Sequence, residues 1–254
     1  MKQPATSDYI RKIYEARSVV GLSGKAHKLT SEIDEQEGEF LSKLIHEDSS
    51  VQKTLEIGCA YGLSSLFICT ALQGRDQASH LIIDPYQTTQ WDGAGIKNLT
   101  DAGIGFFAHI EEKSEIALPR LLAENEGGFD LIFIDGWHTF DHTLVDCFYA
   151  TRLLRVGGYL VIDDVSFPSI RRVVAYFSNY PCYREYDAIV ENYALDWKRI
   201  LARTITSLIS RKTWAKFLAP GLYRRLFDDR KTKMIALKKT QEDNRDWNWH
   251  ADSF

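Results

Sequence analysis

One segment of this 254-residue chain predicts its architecture: Thr54-Leu55-Glu56-Ile57-Gly58-Cys59-Ala60-Tyr61-Gly62-Leu63-Ser64. An apolar strand enters a turn bracketed by two glycines, and a helical pattern follows as far as Leu72. Glycine lets the backbone bend sharply and approach a ligand closely, and the start of a helix offers free N–H groups and a partial positive charge. We therefore expect a site for a carboxylate or a phosphate, and an ordinary strand–helix turn is the alternative. The residues assigned to this ligand are Glu56, Gly58, Ala60, Gly62 and Ser64.

The composition is typical of a globular protein with a sizeable core, since 44% of the residues are hydrophobic and 26% are charged. The length fits one large α/β domain with additions. A formal net charge of −4 gives no nucleic-acid signature. The four cysteines lack metal-binding spacing, which favours buried thiols in a reducing compartment. We expect a cytoplasmic protein with no signal segment, no membrane span and no nucleic-acid partner.

Strand patterns alternate with helical patterns along the chain. The predicted strands are Thr54–Ile57, His80–Asp84, Gly105–Ile110, Phe129–Asp135, Tyr159–Asp163, Tyr183–Val190 and Lys233–Leu237. The predicted helices between them are Leu63–Leu72, Glu115–Glu124, Phe140–Leu154 and Ser169–Phe177. This alternation indicates βαβ units, and the continuous apolar strands indicate a sheet that is covered on both faces. We expect an α/β, Rossmann-like, doubly wound fold, with a mostly parallel seven-stranded sheet and helices on both faces.

The whole chain, residues 1–254, is predicted to form a single domain in four parts. These are an N-terminal helical cap (residues 1–50), a cofactor-binding core (51–190), a basic helical insertion (191–230), and a last strand with a polar tail (231–254). In the cap, one helix is predicted over residues 7–21. A second helix is predicted to start at Ser31 and Asp34 as a variant of the capping box.

The basic insertion has no acidic residue between Trp197 and Phe227, and it has eight basic ones: Lys198, Arg199, Arg203, Arg211, Lys212, Lys216, Arg224 and Arg225. Apolar residues recur along it at helical spacing. Such a segment fits a lid, a dimer contact, or a surface for anionic membranes or acidic glycans. The plain alternative is an amphipathic helix that packs on the sheet with its charges in water. Peripheral membrane contact through residues 197–227 and a homodimer are therefore open expectations.

Acidic residues stand at the predicted carboxyl ends of the strands, where open α/β sheets bind ligands. Asp84 follows the glycine turn by about 20 to 25 residues, a spacing that suits the ribose hydroxyls of a nucleoside, and a turn cap beside Pro85 is the alternative. The dinucleotide fingerprint is absent because Ala60 stands between the glycines. A compact nucleoside such as S-adenosylmethionine suits this turn better than a pyrophosphate. The substitution Gly58→Val is expected to abolish its binding and to leave the fold intact.

Three carboxylates are predicted to converge at one edge of the cleft. Asp135 ends the strongest strand, and Asp163 and Asp164 end the strand expected beside it, roughly 4.8 Å away. Crowded acids repel one another unless a cation lies among them, and an all-oxygen set selects a hard cation, Mg²⁺ first, with Mn²⁺ and Ca²⁺ as alternatives. The other interpretation is that one acid caps a helix and another pairs with Arg171 or Arg172.

The segment after Asp135 supplies the candidate general base. His138 follows three residues later, and an imidazole with a pKa near 6.5 takes a proton at neutral pH. Its place beside strand-end acids distinguishes it from the other histidines of the chain.

Together these motifs resemble the class I S-adenosylmethionine-dependent methyltransferases. The segment from Glu56 to Ser64 is similar to their first motif, in the form found in the catechol and caffeoyl-coenzyme-A O-methyltransferases. Lys113-Ser114-Glu115 resembles the adenine-side loop of that group. Asp135-Gly136-Trp137-His138 also resembles the metal-dependent sugar and antibiotic O-methyltransferases of the macrocin type. The resemblance covers about residues 25–180.

The resemblance implies a role for each matching position. It implies contacts to the cofactor from Ser64 and Ser114, and a Mg²⁺ site formed by Asp135, Asp163 and Asp164. Asp135 is therefore expected to have three roles, in cofactor binding, in metal binding and in catalysis.

The implied reaction is the in-line transfer of a methyl group from the sulfonium of S-adenosylmethionine to an oxygen. The cation would hold hydroxyls of the acceptor and lower the pKa of one. His138, which stands where the catechol type has a lysine, would remove that proton. Trp137 is expected to pack against the adenine, with core packing as its alternative. The expected acceptor is a small molecule, a sugar, a glycoside or another glycan; a non-catalytic nucleoside-binding domain and a nicotinamide-dependent oxidoreductase are the competing interpretations.

Overall fold

Nine strands and seven helices make up the part of the chain that the computed structural model describes, residues 6–30, 32–192 and 230–251. The strands are β1 (Ser18–Val20), β2 (Ala26–Lys28), β3 (Lys53–Ile57), β4 (Ser79–Ile83), β5 (Phe107–Ile110), β6 (Phe129–Ile134), β7 (Leu154–Ile162), β8 (Tyr183–Asn192) and β9 (Arg230–Lys239). The helices are α1 (Thr6–Ala16), α2 (Glu35–Glu47), α3 (Leu63–Leu72), α4 (Ala94–Asp101), α5 (Ser114–Ala123), α6 (Phe140–Leu153) and α7 (Pro168–Phe177).

The central sheet has seven strands in the order β5-β4-β3-β6-β7-β9-β8. The pairs from β5 to β7 are parallel, and β9 runs antiparallel to both of its neighbours. The strand order reverses beside β3, with β4 on one side and β6 on the other, and such a reversal opens a crevice at the carboxyl ends of the strands. The predicted α/β fold with a mostly parallel seven-stranded sheet is confirmed.

Helices cover both faces of this sheet because its central strands are apolar on both faces. All six residues of β6 are buried. Successive side chains of a strand point to opposite faces, so Phe133 packs in one apolar cluster with Leu41 and Leu66, and Ile132 packs in the other with Leu153. The two clusters fix the plane of the sheet, and thereby the edge at which the strand ends meet.

The N-terminal cap differs from its prediction in two respects. The helix predicted over residues 7–21 ends at Ala16, because Arg17 takes a positive φ of 52° and the chain then forms the β1–β2 hairpin. Helix α2 begins after Asp34, whose carboxylate caps the N–H of Glu37 while the Glu37 carboxylate accepts the N–H of Asp34. The capping box is thus formed by Asp34 and Glu37, and Ser31 lies outside the described residues.

The C-terminal strands are longer than predicted, since β8 and β9 have ten residues each. The basic segment between them, residues 197–227, lies outside the described residues, and its predicted helix and roles are therefore still predictions. Among the helices that are described, none has the length and hydropathy that a membrane crossing requires.

Candidate active site

The turn after β3 has a backbone conformation that requires small residues. Gly58 has a φ of 89°, and a Cβ atom there would lie 2.1 Å from the carbonyl oxygen of Asp135. Gly62 has a φ of 78° and precedes α3 without any side-chain cap, so the helix start keeps its N–H groups for a ligand. The prediction that Gly58→Val leaves the fold intact is wrong, because the added side chain would collide with the backbone at the end of β6.

Asp84, at the end of β4, holds this turn in place. Its Oδ2 accepts hydrogen bonds from the backbone N–H groups of Cys59 at 3.1 Å and Ala60 at 2.9 Å, and from the side-chain amide of Gln87 at 3.0 Å. Its Oδ1 accepts the N–H of Tyr86 at 2.9 Å, which is the turn cap that the sequence left as the alternative. The carboxylate is buried with four donors already in place, and its contact with a ribose stays a prediction.

Glu56 lies beneath the turn and does not line the cavity in front of it. Its side chain is fully buried, and Oε2 accepts the hydroxyl hydrogen of Ser65 and lies 3.1 Å from Nε2 of His80. The other ring nitrogen of His80 lies 2.9 Å from the hydroxyl of Thr54. This buried network supports the turn from below, and direct contact between Glu56 and a ligand stays a prediction.

A cavity of about 870 Å³ lies at the carboxyl ends of the strands. It brings together ten of the predicted site residues: Gly58, Ala60, Ser64, Asp84, Ser114, Asp135, Trp137, His138, Asp163 and Asp164. Glu56 and Gly62 are the predicted site residues that its lining does not include. Cavities of this size hold a nucleoside together with a small second ligand.

Asp135, His138 and Asp164 meet at the ends of β6 and β7. Nε2 of His138 lies 3.4 Å from Oδ1 of Asp135 and 3.1 Å from Oδ2 of Asp164. One ligand atom from each of the three lies within 4.8 Å of the others, a spacing that one metal ion can bridge. Asp163 lines the cavity beside them, but its carboxylate is buried and accepts the N–H of Asp164 at 2.7 Å. In this part of the chain the two partly buried acids, Asp135 and Asp164, pair with a histidine and not with an arginine.

The negative charge of this cluster is poorly compensated. Burial raises the pKa of Asp135 to about 6, Asp164 acts in the same direction, and the hydrogen bond with His138 opposes the shift. Burial also raises the pKa of Asp163 well above its usual range, and the neighbouring Asp135 adds to that effect. The hydrogen bond with Asp135 raises the pKa of His138. A divalent cation would compensate this charge, so the donor atoms and the electrostatics both fit one.

An aromatic surface adjoins the cluster in the cavity wall. The Trp137 side chain is 53% exposed, and its ring lies edge to face with Tyr86 and stacked on His142, with centroid distances of 6.3 and 5.1 Å. All three rings line the cavity. The core-packing alternative for Trp137 is therefore wrong, because a half-exposed indole presents a flat face to the cavity.

Sequence reasoning missed a charged contact in another part of the wall. Lys233 of β9 lines the cavity, donates a hydrogen bond to Oδ2 of Asp34, and lies 3.0 Å from Oε1 of Glu37. The spacing of Asp34 and Glu37 in the sequence is the pattern that predicts a capping box at a helix start. Their pairing with a lysine 199 residues beyond Asp34 had no local signal.

The region that carries these features matches a known family. Residues 55–165 match the family described as a methyltransferase domain. Over these residues the chain resembles a methyltransferase domain. The match begins within β3 and ends just after Asp164, so it contains the glycine turn and the strand-end acids. The resemblance to class I methyltransferases is thereby confirmed.

Two curated relatives are similar to this part of the chain. The catechol O-methyltransferase of Niastella koreensis is 30% identical over 135 residues, which is 52% of this chain and 58% of the relative. The probable caffeoyl-CoA O-methyltransferase 2 of Dictyostelium discoideum is 29% identical over 129 residues, 48% of this chain and 52% of the relative. The chain thus spans little more than half the length of these relatives.

Solved structures share the whole fold of the described chain. The O-methyltransferase from Bacillus cereus, solved in complex with S-adenosylhomocysteine, superposes with a TM-score of 0.59 at 14% identity. The superposition covers 94% of this chain and 92% of that one. The similarity of fold therefore extends beyond residues 55–165. A likeness at 14% identity shows a shared fold alone.

Proposed function

We propose that this chain is an S-adenosylmethionine-dependent O-methyltransferase that uses a divalent cation and methylates a hydroxyl of a small molecule, sugar or glycoside. The observation that carries the proposal is that one cavity is lined both by the glycine turn and by the strand-end cluster. A cofactor held at the turn and an acceptor held at the cluster would then meet in a shared, partly water-excluded space.

The cofactor contacts follow the polarity of the cavity wall. The start of α3, with Ser64 in its first turn, suits the carboxylate of the methionine end because a helix N-terminus attracts an anion. Gly58 keeps the backbone of the turn open, and Asp84 holds its shape. Ser114 and the exposed face of Trp137 suit the adenine ring.

The cation would be held by Asp135 and Asp164, with Asp163 as the third carboxylate of the predicted oxygen set. Mg²⁺ suits such a set, and Mn²⁺ or Ca²⁺ are the alternatives. When bound, a divalent cation supplies the positive charge that lowers the pKa of an acceptor hydroxyl. In this assignment His138 is left free for proton transfer, although its Nε2 lies close enough to share the ion.

His138 would take the proton of the acceptor hydroxyl on Nε2, the nitrogen that faces Asp135 and Asp164. As that O–H bond breaks, a C–O bond forms at the methyl carbon, the C–S bond breaks, and the neutral thioether leaves. Phe167 stacks on the imidazole at 5.5 Å with planes 11° apart, which fixes the ring orientation. The rest of the catalysis is alignment of the oxygen, the methyl carbon and the sulfur.

Other expectations of the sequence remain proposals. The four cysteines are free and buried, which supports the proposal of a reducing, cytoplasmic compartment. A homodimer and a membrane contact through residues 197–227 rest on the sequence alone.

Methyl transfer is the direct test of the proposed function. The protein is incubated with S-adenosylmethionine labelled in its methyl group and with a panel of sugars, glycosides and phenols, with Mg²⁺ or with excess EDTA. We expect label in a hydroxyl-bearing acceptor with Mg²⁺ and its loss in EDTA. Calorimetry that detects binding of NAD and not of S-adenosylmethionine would favour the oxidoreductase and contradict the proposal, and full activity in EDTA would remove the cation from it.

A further inference from the structure

The imidazole of His138 has two carboxylates on the same ring nitrogen. Its Nε2 lies 3.4 Å from Oδ1 of Asp135 and 3.1 Å from Oδ2 of Asp164. A ring nitrogen carries at most one N–H, so it offers its hydrogen to one acceptor at a time. Hydrogen bonding therefore satisfies one of the two carboxylates, whereas an ion with several coordination positions can bind the nitrogen and both oxygens together.

The histidine–carboxylate pairs elsewhere in the fold differ from this one. The pairs formed by His27, His80 and His142 each involve a single acid, and the His80 pair has no exposed side-chain surface. The side chain of His138 is 44% exposed, and those of its two acids are 24% and 31% exposed. All three residues line the cavity, so an ion can reach them from the ligand space.

The spacing of the three side chains fits direct coordination. One ligand atom from each of Asp135, His138 and Asp164 lies within 4.8 Å of the other two. Two donors that are each about 2.1 Å from one ion, at angles of about 90–110°, lie roughly 3.0–3.4 Å apart. The N···O distances of 3.1 and 3.4 Å fall in this range. Asp163 is not a member of this group: it is buried, and its Oδ1 accepts the N–H of Asp164.

Two neighbours hold the imidazole in this orientation. The ring of Phe167 stacks on it with planes 11° apart. The hydroxyl of Ser169 donates a hydrogen bond to the carbonyl oxygen of His138 at 2.9 Å. A ligand side chain that is already oriented loses little conformational freedom when it binds an ion. The geometry therefore presents one nitrogen and two oxygens as a preformed ligand set.

We propose that this cluster also binds a transition-metal ion such as Zn²⁺, with Nε2 of His138 as a ligand beside Asp135 and Asp164, and that this ion inhibits methyl transfer. Imidazole suits Zn²⁺, whereas Mg²⁺ keeps to oxygen ligands. Mg²⁺ on the carboxylates leaves the lone pair of Nε2 free for the acceptor proton, and Zn²⁺ occupies that lone pair. The inference rests on the proposed function, because it takes His138 as the base of the reaction.

The test is the ratio of the affinities for Zn²⁺ and Mg²⁺, both measured by calorimetry. In His138→Gln the affinity for Zn²⁺ should fall by at least about tenfold, since losing even an indirect support of a metal ligand costs about 10–100-fold. The affinity for Mg²⁺ should change by less than about threefold, because its oxygen ligands remain. His46→Gln is the matched control: it replaces an exposed histidine in the last turn of α2, and it should change neither affinity.

Two further measurements address the nitrogen and the inhibition separately. Co²⁺ accepts nitrogen and oxygen ligands as Zn²⁺ does and is paramagnetic. Proton NMR of the wild type with Co²⁺ should show a shifted, exchangeable N–H signal from the coordinated imidazole, and His138→Gln should lack it. In the methyl-transfer assay with Mg²⁺, saturating Zn²⁺ should lower the turnover of the wild type by at least about a hundredfold, because the contribution of a general base is lost.

An unchanged affinity for Zn²⁺ in His138→Gln, an equal fall for Zn²⁺ and Mg²⁺, or an equal change in His46→Gln overturns the inference. If His138→Gln does not fold, absence of the shifted N–H signal from the wild type overturns it. Full turnover with Zn²⁺ bound overturns the inhibition. A wild type that transfers no methyl group in Mg²⁺ contradicts the proposed function itself, while the affinity ratio still decides whether His138 is a ligand.

Discussion

The glycine turn and the strand-end cluster share one cavity, yet their carboxylates are treated in opposite ways. Asp84 at the turn accepts four N–H groups, two of them from the turn backbone. Asp135 and Asp164 at the cluster share the imidazole of His138 and face each other with like charge. A carboxylate that is saturated with donors fixes the backbone around it, whereas carboxylates that are crowded and under-satisfied are available for a cation. The same residue type thus shapes the site in one region and performs its chemistry in the other.

The largest expected effect is on catalysis at the cluster. Asp135→Asn removes a cation ligand and the hydrogen-bond partner of His138, so methyl transfer should fall by about a thousandfold or more. The same change removes a charge that burial disfavours, and the metal-free protein should therefore unfold at a higher temperature. Turnover at saturating cofactor and thermal unfolding in EDTA measure the two effects. Asp141→Asn, on the exposed side of α6, is the control and should change neither. A destabilised or fully active Asp135→Asn would show that this carboxylate is structural.

The next effect is on stability at the turn. Asp84→Ala leaves the N–H groups of Cys59 and Ala60 without their acceptor, and the free energy of unfolding should fall by about 4 kcal/mol. Urea denaturation measures it, and S-adenosylhomocysteine affinity should fall with it. Asp101→Ala, at a surface carboxylate that is 41% exposed, should stay within about 0.5 kcal/mol of the wild type. Equal effects of Asp84→Ala and Asp101→Ala on the free energy of unfolding would contradict the role of Asp84 in holding the glycine turn.

Asp146 of α6 extends the comparison to a buried carboxyl whose Oδ1 has no hydrogen-bond partner among the described residues. Burial raises its pKa from 3.8 to about 6, so its protonated form is favoured in the folded state. Its contribution to stability is complete below about pH 4 and is lost as the pH rises through about 6. Asn keeps the shape without the charge, and the stability of the wild type relative to Asp146→Asn should fall by about 2 kcal/mol between pH 4 and pH 7. Denaturation curves across this range measure the difference, and a difference that is constant with pH would contradict the account.

The sequence predicts the β3–turn–α3 unit and the strand-end acids well, because both depend on local patterns. Apolar periodicity and glycines define the unit, and the parallel sheet brings the ends of neighbouring strands to one edge. The β1–β2 hairpin was missed because its strands have three residues each and follow a helical pattern without a break. Helix α4 (Ala94–Asp101) was also missed, being only eight residues long.

The partners of the site acids were beyond sequence reasoning. The N–H groups of Cys59 and Ala60 on Asp84, and Lys233 on the Asp34–Glu37 capping box, depend on contacts between distant segments. A local pattern identifies a carboxylate at a strand end and cannot tell whether the fold will supply donors to it. That distinction separates the structural acid at the turn from the acids at the cluster.

Binding of Mn²⁺, measured by electron paramagnetic resonance, tests the central claim most directly. The account predicts that the wild-type protein binds Mn²⁺ in the cavity and that S-adenosylhomocysteine changes the spectrum of the bound ion. It predicts that Asp164→Asn weakens binding by at least about tenfold, since the variant removes a charged oxygen ligand, while Asp101→Asn leaves it unchanged. Absence of Mn²⁺ binding to the wild type, or an unchanged affinity in Asp164→Asn, would contradict the assignment of the strand-end cluster as a cation site.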